Sequence, residues 1–498
     1  MNDFPQYDEI HVVSDLHMGG SEGFQIFRET KRLANYIRWV TGQRPGGHVA
    51  LILNGDVIDT LAENITGYLA VDEAVSIVQR IMRDPSFGQI WDALADFVKV
   101  DGRALIVVIG NHDIELAFPT VQQAIVKRLA SENLAARARI EFSTTGAGYS
   151  CIVGNATVFC THGNEVDPWN YVRYEDLSKV ARRLNTGRSV TQEEWAPNAG
   201  TKMVKEVMNE VKRRYAWIDL LKPEIQAAVG TLLVLEPAQV AKINRLIPII
   251  GEKRRGDNEF DKRLSGDEYQ PPGISSSNPP TLDRLLGPSV LEGLRGPSKD
   301  GNGTSDDMLL SAEKNFGAQR TRADSADSTL GTGQVIWDRL TGWITGVGQD
   351  EALRRALKDW TADDKTFQID DQDDTYKAIG DSVGTSVDFI VTGHTHLERA
   401  IDMGAGRFYF NCGTWIRLLR LTDTVLGHID TFRPVYQILM NGRMDAIDTA
   451  VFANEPFVID QTSAVSIKTE SDQIVGLLTH VVGQGSSTPQ EIKAFARP

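Results

Sequence analysis

The sequence predicts an α/β fold in which helices cover β-sheets, and three observations predict it. Apolar runs recur at 9–13, 49–53, 104–109, 156–160 and 387–391. Such nearly unbroken runs suit strands buried on both faces. Segments with apolar residues at helical spacing lie between them, as over about 24–40. Each run also stops at a loop carrying Asp, Asn or His. In sheets of this kind ligands gather beyond the carboxyl ends of the strands. Five separate loops can therefore meet at one site.

Taken in order, the first run opens into Ser14-Asp15-Leu16-His17-Met18-Gly19-Gly20. Asp15 and His17 are two apart, so both face one point if the strand's alternation persists into the loop. The second run opens into Asn54-Gly55-Asp56-Val57-Ile58-Asp59, and the third into Gly110-Asn111-His112-Asp113. The fourth leads to Thr161-His162-Gly163-Asn164, and the fifth to Thr392-Gly393-His394-Thr395-His396. Five of the nine histidines fall in these loops. The others, His11, His48, His428 and His480, read as ordinary core or surface residues.

After His162 the pattern changes. Residues 171–263 are mainly helical in character, with apolar residues at helical spacing over 202–221 and 224–235. They carry 18 Lys and Arg against 13 Asp and Glu, a net +5 within a chain of net charge -15. Lys212-Arg213-Arg214 and Lys253-Arg254-Arg255 are the densest clusters. They read as a solvated helix face or as a lid whose cations meet an anionic substrate. Residues 264–333 are rich in Pro, Gly, Ser and Asp and thin in apolar residues, the composition of a flexible linker. A helical turn or two is expected over 282–294. Order resumes near Val335-Ile336-Trp337, with helices over about 351–360 and 375–382. The acidic cluster between them (Asp363, Asp364, Asp370, Asp371, Asp373 and Asp374) lacks the central Gly and closing Glu of a calcium loop. It reads as solvated. A further strand and turn is expected over 407–415, then a mixed tail. The expected organisation is a core in two parts, 1–170 and 335–435. The parts are separated by a helical insertion, 171–263, and a linker, 264–334, and followed by an extension, 436–498.

With 498 residues, 41% hydrophobic and 24% charged, the chain has the makeup of a globular protein with a sizeable core. The negative net charge disfavours whole-surface binding to nucleic acid or anionic membrane. No run reaches the roughly 18 apolar residues of a membrane span, and the first residues lack the basic-then-apolar pattern of a secretory signal. Three cysteines without paired spacing suit a reducing compartment. A cytoplasmic protein is expected.

The loop residues Asp15, His17, Asp56, Asn111, His162, His394 and His396 offer carboxylate, amide and imidazole but no thiolate. That O/N set suits manganese, iron or zinc better than calcium. Seven ligands exceed the needs of one tetrahedral ion. Two ions sharing a bridging carboxylate, about 3.5–4 Å apart, would use them all.

Asp15-x-His17, Gly55-Asp56-x-x-Asp59, Gly110-Asn111-His112-Asp113, His162-Gly163 and Gly393-His394-x-His396 together resemble the calcineurin-like metallophosphoesterase superfamily, over about 8–167 and 386–416. The resemblance implies two packed β-sheets flanked by helices, with a dinuclear metal centre at the strand ends. It implies one ion on Asp15, His17, Asp56 and His396, and a second on Asp56, Asn111, His162 and His394, with Asp56 bridging. It further implies a metal-bound hydroxide attacking phosphorus in line. His112 then donates to the phosphoryl or leaving-group oxygen, and Asp59 orients it. Asn164, Glu165 and Asp167 are candidates for supporting the ligands from behind, and Thr395 and Trp415 for touching substrate. One sub-branch, which cleaves the pyrophosphate of a UDP-linked lipid A precursor, has a similar opening motif. It usually carries Arg where this chain has His112. The expected activity is hydrolysis of a phosphate monoester, diester or pyrophosphate bond in a small molecule or nucleotide. The alternatives are a nuclease using the basic insertion and a catalytically silent, partner-binding scaffold.

Overall fold

A computed structural model of the chain describes residues 4–20, 25–191, 194–221, 231, 234–236, 288–290, 341–361, 368–483 and 489–497. Its strands, in chain order, begin with β1 (Gln6–Tyr7), β2 (Glu9–Val13), β3 (Val49–Asn54), β4 (Arg103–Val108), β5 (Ile140–Ser143), β6 (Tyr149–Val153) and β7 (Ala156–Cys160). After the insertion come β8 (Phe389–Thr392), β9 (Glu398–Gly404) and β10 (Arg407–Cys412). Four two-residue strands follow: β11 (Leu418–Leu419), β12 (Val451–Phe452), β13 (Glu455–Pro456) and β14 (Val458–Ile459). The tail supplies β15 (Ser463–Glu470), β16 (Gln473–His480) and β17 (Gln490–Arg497).

Two sheets carry the molecule, ordered β17-β16-β15-β2-β3-β4-β5 and β1-β6-β7-β8-β10-β9. Strands β2 to β5 are parallel neighbours, and β7, β8 and β10 are parallel in the other sheet. Strand alternation explains how both faces of the larger sheet are buried. Ile10, Val12, Ala50, Ile52, Ile106 and Val108 share a core with Val158, Phe389, Val391 and Phe410 of the smaller sheet. The intervening Val13, Leu51, Leu53, Leu105 and Val107 pack with helices Thr30–Thr41, Ala74–Arg83, Gly88–Lys99 and Pro119–Ala130. Helix Asp374–Ser382 brings Ile379 against Ile390, Ile401 and Tyr409 on the far face of the smaller sheet. The two packed sheets flanked by helices are thus present as expected. Three neighbouring strands of one sheet and two of the other end together, and their loops carry the candidate ligands.

The tail is part of this frame: β15 runs antiparallel to β2 and so extends the larger sheet. The described part of the insertion shares a separate apolar core with later segments of the chain, with Trp217, Ile218 and Leu220 against Leu353 and Leu357 and against Phe432, Val435 and Leu439. Trp217 Nε1 donates to the Leu439 carbonyl at 2.8 Å. The helix expected over 202–221 is broken. Ala199–Met203, a widened turn at Val204–Met208 and Asn209–Lys212 are followed by a short turn at Ala216–Leu220. The acidic cluster is less solvated than expected, because Asp371 and Asp373 pair with the buried Arg399 at 3.9 and 3.2 Å. Asp373 also caps the Asp374–Ser382 helix. The expectations for most of 224–235, most of 264–333 including most of 282–294, 335–337, Lys253-Arg254-Arg255, Asp363 and Asp364 lie outside the described residues.

Candidate metal centre

The ligand candidates are turned inward by backbone geometry. Asp15, His17, Asp56, His394 and His396 all have positive φ, between 45° and 70°. Non-glycine residues rarely adopt this region, at a cost of about 1 kcal/mol or more each, so five of them around one point mark a locally enforced arrangement. The loops are laced together. Asp15 N donates to the Gly55 carbonyl at 3.2 Å and His17 N to the Asp56 carbonyl at 2.9 Å. Glycines let them touch: a Cβ on Gly55 would overlap the His162 ring, and one on Gly110 would overlap Asp56 Oδ1.

Three groups of ligand atoms result among the described residues, Asp15–His17–His396, Asp56–His162–His394 and His17–Asp59–His112, and the first two are made of the ligand candidates. In the first, His396 Nε2 lies 3.2 Å from Asp15 Oδ1 and 3.1 Å from His17 Nε2. In the second, His162 Nε2 lies 3.2 Å from Asp56 Oδ2. The same Asp56 oxygen is 3.7 Å from His17 Nε2, so it stands between the groups. The remaining lone pairs are already committed. Asp15 Oδ2 accepts from Ser14 Oγ at 2.5 Å and His394 N at 3.0 Å. Asp56 Oδ1 accepts from His112 N at 2.9 Å. His162 donates Nδ1–H to the Asn54 carbonyl at 2.8 Å, so Nε2 is the nitrogen that it turns toward Asp56.

These residues fit a divalent ion. Asp15 Oδ1, Asn111 Oδ1 and His162 Nε2 are buried and, among the described residues, have no hydrogen-bond partner. Buried polar atoms are otherwise almost always satisfied. Three such atoms on three candidate ligands, all hard or borderline donors, are what a cation would satisfy. Electrostatics agree. Burial opposes the charge on Asp56, yet His162, His112 and His17 hold its carboxyl well below the usual range. Burial is likewise overcome at Asp15 by His396, and at Asp59 by His112, so both stay below the ordinary value. His162, also against its burial, is pushed up to about 10 by Asp56. The site is built for positive charge.

Asp59 and His112 sit beside the first group. Asp59 Oδ1 is 3.1 Å from His112 Nδ1, and Oδ2 is 3.5 Å from His17 Nδ1. His112 is only partly buried, unlike Asp15, Asp56 and His162. Of the supporting candidates, Asp167 reaches a ligand candidate directly, with Oδ2 2.8 Å from His394 Nε2. Glu165 accepts from Gly163 N at 2.7 Å, and Asn164 from the Tyr174 hydroxyl at 3.4 Å. Thr395 Oγ1 accepts from Asn411 Nδ2 at 3.1 Å. Trp415 is not available to a substrate, since its ring is buried and Nε1 donates to the Ser463 carbonyl at 2.9 Å. Sequence reading missed Ser14, Thr60 and Glu115. Thr60 Oγ1 lies 2.6 Å from Glu115 Oε2 and 2.8 Å from the His112 carbonyl, which ties the Asp59 loop to the His112 loop. Only their nearness in sequence to the motifs could have flagged them. Asp113, inside a motif but given no role, accepts from Gly110 N and Val57 N, each at 2.7 Å.

The calcineurin-like phosphoesterase family model matches residues 9–214. Residues 9–214 are thus similar to a class of phosphoester hydrolases that typically uses divalent metals. The matched span holds Asp15, His17, Asp56, Asn111 and His162, while His394 and His396 lie beyond it. None of the curated proteins matches the chain.

Proposed function

We propose that this chain hydrolyses a phosphate monoester, diester or pyrophosphate bond in a small molecule or nucleotide, using two divalent metals. The reading is carried by one observation: a single oxygen, Asp56 Oδ2, lies 3.2 Å from His162 Nε2 and 3.7 Å from His17 Nε2, between two ligand groups. Asp15, His17, Asp56 and His396 would hold one ion, and Asp56, Asn111, His162 and His394 the other. Such a pair, of manganese, iron or zinc, activates water and neutralises charge on the phosphoryl oxygens. Asp59 holds His112 Nδ1–H, and the doubly protonated ring would have an Nε2–H to give to the leaving-group oxygen. The partial exposure of His112 suits a residue that meets substrate.

A small substrate is favoured over nucleic acid by the chain's net charge of -15, and two cations of the described part of the insertion are paired. In the basic cluster there, Lys212 lies 2.8 Å from Asp219, and Arg214 pairs with Glu236. Neither is a bare cation awaiting phosphates. No helix among the described residues is long and apolar enough to cross a membrane. A cytoplasmic setting suits the three free, buried cysteines.

The test is a panel of monoesters, cyclic nucleotides, dinucleoside polyphosphates and nucleic acids, assayed with several divalent metals and with a chelator. Hydrolysis of at least one substrate that is lost on chelation and restored by metal is expected. Asp56→Asn should lower turnover by roughly a hundredfold or more. No turnover on the whole panel would point to the silent scaffold, and a near-normal Asp56→Asn rate would remove the bridging role.

A further inference from the structure

Asp167 is outside the seven ligand candidates, yet its carboxylate is fully committed around one of them. Its Oδ2 lies 2.8 Å from His394 Nε2. The same oxygen accepts from Asn170 Nδ2 at 2.7 Å, and Oδ1 accepts from Trp169 N at 2.9 Å. The segment that supplies these bonds is itself clamped. Gly200 N donates to the Trp169 carbonyl at 2.7 Å, and a Cβ on Gly200 would overlap Asn170 Oδ1. The carboxylate is therefore placed by local structure, independently of His394.

An imidazole that donates Nε2–H keeps its lone pair on Nδ1. His394 groups with Asp56 and His162, not with Asp15 and His17. We propose that Asp167 is a positioning residue that fixes the tautomer and orientation of His394 and so sets the affinity of one of the two metal positions, the one on Asp56, Asn111, His162 and His394. This rests on the two-ion reading of the site. It assigns a selective role, because none of the hydrogen bonds of Asp167 reaches Asp15, His17 or His396. A carboxylate behind a ligating histidine raises its basicity and removes its rotational freedom, and loss of such a partner weakens metal affinity by about 10–100-fold.

The experiment titrates the full, metal-free chain with Mn²⁺ alone, followed by calorimetry and by electron paramagnetic resonance. Wild type should bind two ions and develop the spectrum of an exchange-coupled pair. Asp167→Ala should bind its first ion as wild type does and its second about 10–100-fold more weakly, with the coupled spectrum appearing only at higher Mn²⁺. Asp167→Asn keeps the shape and one acceptor oxygen, so it should fall between. Unchanged binding of the second ion in both variants, or equal weakening of both ions, overturns the assignment. Wild type binding fewer than two ions overturns the two-ion reading itself, a result that is distinct from failure at Asp167.

Discussion

At the scale of single residues, the site works by dividing the two oxygens of a carboxylate between different partners. Asp59 divides its two oxygens between His112 and His17, at 3.1 and 3.5 Å. One carboxylate thus orients both the proposed proton donor and a metal-ligand candidate. His112 in turn spends its backbone N–H on Asp56 Oδ1, so its main chain supports the proposed bridge while its ring stays partly exposed. Truncating the ring should leave the main-chain bond intact. His112→Ala is therefore expected to lower kcat by about 10²–10⁴-fold, the range for losing a general acid, with stoichiometric metal binding retained. Asp59→Asn should lower kcat less but should also weaken metal binding, because it touches His17 as well. Steady-state kinetics alongside metal analysis separates the two. A His112→Ala enzyme with wild-type turnover would exclude the proton-donor role.

At the scale of elements, the loops are held in register by buried acids. Glu115 accepts from Thr60 Oγ1 at 2.6 Å and Ala70 N at 2.8 Å, and so pins the loop after β3 to the loop after β4. Burial pushes its carboxyl up to about 7 and that of Asp113 likewise to about 7, against ordinary values of 4.5 and 3.8. Both folded values exceed the unfolded ones, so the folded chain binds more protons between them. Stability is then fully present below the unfolded values and declines as pH rises to about 7. Urea unfolding of the metal-free protein across that range should show the decline. Glu115→Gln should make it shallower without abolishing it, since Asp113 remains, and an unchanged slope would show that Glu115 contributes nothing. The legibility of these elements follows from locality. The five strand-to-loop junctions were readable because each ligand candidate lies within a few residues of the apolar run that positions it. Thr60 and Glu115 were not, because their bond joins two loops 55 residues apart. Arg399, which draws Asp371 and Asp373 out of solvent, was likewise too distant to be read from the acidic cluster. Strands β15 to β17 escaped assignment because Ser463, Ser466 and Lys468 break the apolar pattern, and only the pairing with β2 makes them a sheet edge's cover.

At the scale of the whole molecule, the last strands of the chain back the first candidate ligands. Strand β15 pairs with β2 from Val465↔Val12 to Lys468↔Glu9, and β2 leads directly to Asp15 and His17. The contact continues past the strands. Ser463 Oγ donates to the Cys412 carbonyl at 2.5 Å, Trp415 Nε1 donates to the Ser463 carbonyl, and Trp415 N donates to the Asp15 carbonyl at 3.3 Å. Val465, Ile467 and Leu478 also fill the core between the sheets. Removing residues 461–498 would therefore do more than trim a tail. It would leave β2 an open edge beside an emptied core, a template for pairing between chains. The truncated chain is expected to aggregate and to hold no metal stoichiometrically, whereas point changes within the site should leave the protein soluble. Soluble yield, cooperative unfolding and metal content of the truncated chain measure this directly. A soluble, two-ion form lacking those residues would mean that the metal centre stands on β2 to β10 alone, with β15 to β17 only laid against a sheet already complete.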